Sequence, residues 1–354
     1  MKILITGGCG FVGSNLAILF KDYLNESDIY CFDNLSRRGS EINLAKILAK
    51  GIHFIHGDVR IASDFEKIPQ TDWVIDAAAE PSVLAGKVPG ELENLIETNF
   101  NGTIHTLNYC RKWGAKFLFL STSRVYPYDS LNAIPLKNSI SRLEWDLNFP
   151  VKGLSSKGIN EDFELKGLRS LYGATKLSSE YFVQEYAHNF GIPSVINRCG
   201  VLTGPHQMGK IDQGVIVLWV AKHFWNKKLS YIGFGGEGKQ VRDMLHVKDL
   251  FQLLIWEIQH IDSIKSEIFN VGGGLNVSTS LLELTAYCEE LTGNKIQIDS
   301  DENDRPGDIP IYLTDTSKIE KLSGWKPIYQ PKDILKEIVE WIEEDQKMLF
   351  PILS

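Results

Sequence analysis

The stretch "ILITGGCGFVGSNLAILF" (3–20) decides the fold. It opens as a short apolar run and closes with apolar residues at helical spacing, and between the two stand Gly7, Gly10 and Gly13. A strand that turns into a helix through G-x-x-G-x-x-G is a variant of the dinucleotide-binding fingerprint. Glycine is needed because the backbone turns sharply and approaches a pyrophosphate, where a Cβ would stand in the way. The helix start then offers unpaired N–H groups and the positive end of its dipole to the phosphates. Glycines alone say little, since tight turns use them freely; the context carries the reading. Twenty residues after Gly13, at the end of the next apolar run, stands Asp33. A carboxylate there accepts hydrogen bonds from the adenosine ribose hydroxyls and repels a 2′-phosphate, which favours NAD over NADP. Arg37 and Arg38 in "NLSRRG" pull the other way, and Asp33 is given the greater weight. Asp58 in "HGDVR" reads equally as a receiver of the adenine amino group or as an ordinary strand-end aspartate.

Outward from that stretch the pattern repeats. "KILIT" (2–6), "DIYCFD" (28–33), "HFIHGD" (53–58), "WVIDAAA" (73–79) and "KFLFLST" (116–122) read as strands, and the segments between them show helical spacing. Such alternation predicts an α/β fold, a Rossmann-type doubly wound parallel sheet with helices on both faces. "PSVINRCG" (193–200) adds a strand and "GVIVLWVAKHFW" (214–225) a helix. Between 129 and 169 the pattern weakens, and an insertion or long loop is expected. Residues 1–195 are expected to form mainly the NAD-binding domain. Residues 196–354 are expected to form mainly a smaller, interwoven C-terminal substrate-binding lobe, with segments returning to the first domain.

Composition narrows the class. A chain of 354 residues with 43% hydrophobic and 23% charged side chains is ordinary for a globular enzyme. A net charge of −8 supplies no basic face for nucleic acid. The five cysteines are scattered with no C-x-x-C, which points to neither a disulfide framework nor a metal site. The longest apolar run is too interrupted to cross a bilayer, and "MKILITGGCG" reaches glycine before a signal-peptide core can form. No membrane partner and a cytoplasmic location are expected.

Within this scaffold "SLYGATKLSSEY" (170–181) has two readings. Tyr172, Leu177 and Tyr181 can lie along an amphipathic helix with Lys176 a solvated charge, or Tyr172 and Lys176, four apart, can share a face because a reaction needs them together. If NAD lies across the strand ends, "DAAAEPS" (76–82) and "STSRVYP" (121–127) line the nicotinamide, and the second reading gains a task. A phenol titrates near 10 and is protonated at neutral pH. An adjacent ammonium, with the nicotinamide charge, is expected to lower it by about two or three pH units. Tyr172 then removes a sugar hydroxyl proton, while Thr122 or Ser123 hydrogen-bonds the developing oxyanion.

The pieces "TGGCGFVGSN", "FDNLSRRGS", "HGDVR", "ETNFNGT", "STSRVY", "YGATK", "GKQVRDMLHVKDL", "FNVGGG" and "RPGD" together resemble the extended short-chain dehydrogenase/reductase family. These are the sugar-nucleotide epimerases and dehydratases, and the resemblance runs over nearly the full length. It implies an NAD-dependent enzyme acting on a nucleotide-linked sugar, with Thr122, Tyr172 and Lys176 as the catalytic set and Lys176 holding the nicotinamide ribose. The implied cofactor site comprises Gly7, Gly10, Phe11, Val12, Gly13, Asp33, Asn34, Asp58, Val59, Ala77, Ala78, Ala79, Asn99 and Ser121, together with Tyr172 and Lys176. Asn99 is also expected to steady the backbone near the fourth helix. On the substrate side the resemblance implies Glu80, Ser123, Arg124, Gln213, Gln240, Arg242, Arg305 and Asp308, with Arg242 and Arg305 gripping the diphosphate through bidentate pairing.

Dehydratases of this family carry an Asp-Glu pair after the catalytic threonine, whereas Ser123 and Arg124 stand here, so dehydration is not expected. "GKIDQGVIVLW", "GKQVRDMLH" and "SLLEL" resemble the 2-epimerases of CDP-linked hexoses, with "DQG" (212–214) the most discriminating. A CDP-hexose is therefore favoured, with a UDP-sugar 4-epimerase as the alternative. Val201 replaces an asparagine common in the family, and Pro127, "STSR", "SLYG" and the long segment before Tyr172 depart from the 2-epimerase pattern. These departures imply a rebuilt sugar-facing wall. The implied reaction is oxidation, rotation of the keto-sugar and reduction in one pocket. A homodimer or homotetramer through the helices near 99–113 and 172–190 is implied as well. His53 and His56 read as strand residues, His246 as a structural hydrogen-bonder, Cys199 as buried and inert, and Trp219 and Trp225 as packing or interface residues.

Overall fold

β1 (Lys2–Thr6) is an unbroken apolar run because it is buried on both faces in the middle of a sheet. The computed structural model describes residues 1–86, 89–210 and 213–354. On one side of β1 lie β2 (Asp28–Asp33) and β3 (His53–His56); on the other lie β4 (Trp73–Asp76) and β5 (Lys116–Thr122). The strands Ser194–Cys199 and Ile268–Val271 complete a seven-stranded sheet. From β3 across to Ser194–Cys199 every pairing is parallel. The strand order reverses between β1 and β4, so the turns leaving these two strands diverge and leave a crevice at their C-terminal ends. "HFIHGD" leaves the sheet after His56 and "WVIDAAA" after Asp76, and in both the missing residues form the turns that face this edge.

The helices α1 (Phe11–Tyr23), α2 (Ser40–Ala49), α3 (Glu91–Ile96) and α4 (Gly102–Trp113) alternate with these strands, joined by the helices Leu171–Phe190 and Val247–Ile264. Leu4, Phe32, Val74, Leu107, Phe117, Phe119 and Ile196 belong to one buried apolar cluster. The sequence reads 93–113 as one continuous helix. The chain instead makes a π-helical turn, Glu97–Asn101, between α3 and α4. The extra residue shifts the apolar stripe by a single position, too little for the pattern to reveal it.

Two compact units emerge: Met1–Val125 with Leu171–Cys199 and Leu250–Phe269, and Tyr126–Ser170 with Gly200–Asp249 and Asn270–Ser354. The second unit is built on the strand Val241–His246, which pairs with Val201–Thr203, Ser278–Ser280 and Ile311–Tyr312. The helices Val215–Phe224, Leu281–Thr292 and Pro331–Glu344 belong to it. The segment 129–169, expected as an insertion or long loop, is ordered and belongs to this unit. It carries a short helix Tyr128–Asn132 and two hairpins, Leu136–Asn138 with Leu143–Trp145 and Leu154–Ser155 with Gly158–Ile159. Arg142 in the first hairpin ion-pairs with Glu283 and donates to Ser278 Oγ at 3.0 Å. Glu283 also closes the capping box of Leu281–Thr292. Among the described residues no helix is long and apolar enough to cross a membrane.

Candidate active site

The turn after β1 is packed too closely for side chains. A Cβ on Gly13 would lie 2.2 Å from the Gly7 carbonyl oxygen, and one on Gly7, whose φ is +62°, would lie 2.8 Å from Ala78 Cα in the turn after β4. α1 begins at Phe11 with Gly10 as its N-cap; no side chain caps it and no acid occupies its first turn. The first N–H groups of a helix have no partner within it, so those at Phe11, Val12 and Gly13 suit an anion. Asp33 at the end of β2 accepts from Cys9 N at 3.0 Å and from Leu35 N at 2.7 Å, which fixes its carboxylate beside the glycine turn. Burial raises its carboxyl, and these backbone bonds oppose the rise. A glycine cradle, an uncapped helix start and a held carboxylate at the next strand end fit a dinucleotide with free ribose hydroxyls.

Asp58 sits where the third strand has ended. Burial would raise its carboxyl, but Arg60 and Asn34 hold it down at about 2. Arg60 Nε donates to it at 2.9 Å and Asn34 Nδ2 at 2.9 Å. Arg60 was not singled out in the sequence, although a basic residue two positions after a strand-end aspartate is a readable signal. Val59 takes a hydrogen bond at its carbonyl from His105 Nδ1, 2.8 Å away. Under the turn after β4, Ala78 N donates to Thr6 Oγ1 at 3.2 Å, and Asp76 accepts from both Thr6 and Thr103. Asn99, in the π-turn, is buried; it accepts from Glu80 N at 2.7 Å and donates to Glu80 O at 3.0 Å. Its amide also reaches Thr175 Oγ1 at 3.3 Å, so it clamps the loop carrying Ala77, Ala78, Ala79 and Glu80 to the helix Leu171–Phe190.

That helix brings Tyr172 and Lys176 to the end of β5. The Tyr172 phenol is hydrogen-bonded to Thr122, yet burial pushes it up to about 12, with Arg124 drawing it down and Cys199 and Glu80 pushing it up. Among the protein groups, enclosure outweighs the charges around the ring. Lys176 is 2% exposed. Burial draws its ammonium down to about 8 against the opposing pull of Asp76 and Glu180. Its Nζ lies over the Phe119 ring, 3.9 Å from the centroid. Ser123 and Arg124 follow Thr122 in a short 3-10 turn, where Arg124 N donates to Thr122 Oγ1 at 3.2 Å.

The Ser121 hydroxyl donates to Glu180 Oε1 at 2.5 Å. Glu180 is in turn locked to Arg198, with Arg198 Nη2 to Oε2 at 2.7 Å, all of it buried. Neither Glu180 nor Arg198 was singled out for such a role, since their pairing depends on a helix and a strand distant in sequence. Cys199 is buried, its thiol raised to about 12 by burial.

In the second unit, Arg242 donates to Asp308 Oδ1 at 2.9 Å and to the Ile309 carbonyl, so Asp308 holds an arginine. Gln240 donates to the Ile232 carbonyl at 3.2 Å, and its Oε1 has no partner among the described residues. Gln213 forms an isolated bridge with Lys210, and Arg305 is half-buried. Asp212 of "DQG" lies outside the described residues. His246 Nδ1 accepts from Lys248 N at 3.2 Å and the ring stacks on Tyr329, the structural part expected of it. Trp219 donates to Thr285 Oγ1 at 3.0 Å, and Trp225 packs edge-on against Phe350.

Residues 3–272 match the NAD dependent epimerase/dehydratase family. The CDP-paratose 2-epimerase of Salmonella typhi is 30% identical over 96% of this chain and 99% of its own. The dTDP-glucose 4,6-dehydratase of Salmonella typhimurium is 28% identical over 96% of this chain and 92% of its own. Among solved structures, a mutant UDP-glucuronic acid 4-epimerase from Bacillus cereus, in complex with UDP-4-deoxy-4-fluoro-glucuronic acid and NAD, is similar with a TM-score of 0.79 and 25% identity. That match covers 97% of this chain and 99% of the other. The chain belongs to the NAD dependent epimerase/dehydratase family.

Proposed function

We propose that this protein is an NAD-dependent nucleotide-sugar epimerase that inverts C2 of a CDP-linked hexose. One observation carries the epimerase reading: Tyr172 and Lys176 stand at the end of β5 with Thr122 hydrogen-bonded to the phenol, while Ser123 and Arg124 occupy the next two positions. Removing water from a sugar needs an acid and a base beside the reacting carbon. Neither Ser123 nor Arg124 supplies a carboxyl, which favours epimerisation over dehydration. The choice of CDP and C2 rests on the Salmonella typhi relative and on "DQG" (212–214).

Gly7, Gly10, Phe11, Val12 and Gly13 take the pyrophosphate, Asp33 the adenosine ribose, and Lys176 the nicotinamide ribose. Asn34, Asp58 and Val59 line the adenine side, and Ala77, Ala78, Ala79 and Asn99 line or support the nicotinamide side. NAD, when bound, supplies the electron acceptor and donor and a positive charge beside the phenol. Tyr172 takes the proton of the sugar hydroxyl and returns it after the ring has turned; Thr122 donates to the sugar oxygen as charge builds on it. Glu80, Arg124, Gln213, Gln240, Arg242, Arg305 and Asp308 are assigned to the nucleotide sugar, with Arg242 oriented by Asp308. A homodimer through the helices near 99–113 and 172–190 is part of the reading, with Tyr181 and Phe190 on the helix Leu171–Phe190 exposed at 54% and 50%.

The test is proton NMR of the purified protein with CDP-paratose in deuterated water and no added NAD. Inversion at C2 without solvent deuterium supports the reading, and Tyr172→Phe should abolish it while leaving the cofactor bound. No change with CDP-paratose, but inversion at C4 of UDP-glucose, would replace it with the 4-epimerase alternative.

A further inference from the structure

Lys176 is a buried cation, and among the described residues its ammonium has no protein oxygen to rest on. Among the described residues nothing accepts a hydrogen bond from its Nζ, and no carboxylate ion-pairs with it. The two carboxylates whose charge reaches it are committed elsewhere. Asp76, on β4, accepts from Thr6 and Thr103; Glu180, one turn along the same helix, accepts from Ser121 and Arg198. The other titratable group that acts on it is the buried thiol of Cys199. What lies against the ammonium is the face of Phe119, 3.9 Å from ring centroid to Nζ. Cation–ring contacts elsewhere are looser, 4.8 Å for Lys112 over Trp113 and 5.6 Å for Lys227 over Phe350. Phe119 is itself fully buried and steadied by Phe117, whose ring stacks at 6.0 Å.

We infer that Phe119 is a positioning residue for the reaction, its π-face holding the Lys176 ammonium in place and charged while leaving the N–H bonds directed at the cofactor's ribose hydroxyls. A ring attracts a cation through its quadrupole without accepting all of its hydrogen bonds, and the attraction is strongest where water is excluded. A carboxylate in the same place would neutralise the charge and engage the donors. The inference rests on Lys176 acting at the cofactor, but the contact itself can be tested without turnover.

The experiment replaces Phe119 with mono-, di- and trifluorinated phenylalanine, which drains the π-face in steps at nearly constant ring size. Lys176 is followed by NMR titration of ε-carbon-13-labelled lysine in the Tyr172→Phe background, its resonance assigned with Lys176→Met. The Lys176 midpoint is expected to fall stepwise, by about one pH unit at three fluorines, with Phe119→Leu at or below the end of the series. A midpoint that stays within about 0.2 of the parent across the series, or rises, would overturn the inference. Failure here would leave the epimerase reading standing, and an active Tyr172→Phe would sink that reading while leaving this contact intact.

Discussion

Two glycine-rich turns leave strands of the same sheet, one after β1 and one after Ile268–Val271, and the chain uses them in opposite ways. Both hold a glycine in the left-handed region, Gly7 at φ +62° and Gly274 at φ +63°. Both are too tight for side chains: a Cβ on Gly13 would meet the Gly7 carbonyl at 2.2 Å, and one on Gly272 would meet Asp243 Oδ2 at 2.3 Å. They differ in what receives their N–H groups. In the first turn Asp33 takes the Cys9 N–H, and the helix that follows has no side-chain cap for its own first donors. In the second, Asp243 Oδ2 accepts from Gly274 N at 3.1 Å and from Thr314 N at 3.4 Å, so a buried carboxylate of the protein fills the place that an anionic ligand would take. Glycine after a strand marks a close approach; the acceptor decides whether that approach serves a ligand or the core.

Four substitutions can break or sharpen this contrast. Gly13→Ala is expected to have the largest effect, lowering NAD affinity at least about 100-fold in calorimetric titration, because the phosphate cradle must open to admit the methyl group. Unchanged affinity would remove the first turn from the cofactor site. Gly272→Ala should cost about 3 kcal/mol in urea unfolding through overpacking while leaving NAD affinity of the folded protein as it was. A loss of affinity with intact stability would erase the distinction between the turns.

Asp243→Asn tests the internal acceptor. Burial raises the Asp243 carboxyl to about 6, so its contribution to stability is fully present below about 4 and is lost as pH rises through 6. Between these limits the parent should lose up to about 3 kcal/mol that the asparagine variant does not lose. Parallel pH–stability curves for the two proteins would contradict the assignment. Gly293→Ala, at a helix end with φ +72° and open space around it, should cost only about 1–2 kcal/mol of left-handed strain by the same unfolding measurement.

The sheet was readable because burial on both faces forces unbroken apolar runs: β1, β2 and β5 begin and end where the sequence places them. Glycine spacing and Asp33 likewise declare themselves locally. The segment 129–169 did not, because its short hairpins take their order from partners far along the chain, such as Glu283 for Arg142. The same limit hid Phe119 beneath Lys176 and Glu180 beneath Ser121, contacts between strand and helix that no local spacing reports. At Tyr172, too, a four-residue spacing shows the lysine but not the enclosure that pushes the phenol up.

The π-turn Glu97–Asn101 has a consequence for anyone who would tidy this protein. Deleting one residue from it would heal the helix into regular α geometry and give the segment better local hydrogen bonding. The same repair would turn the following side chains by about 100° and carry Asn99 away from both Glu80 and Thr175. Regular helix geometry in this segment would therefore come at the loss of the buried brace on the β4 loop. The irregular turn marks where a more regular helix would leave the neighbouring loop unheld.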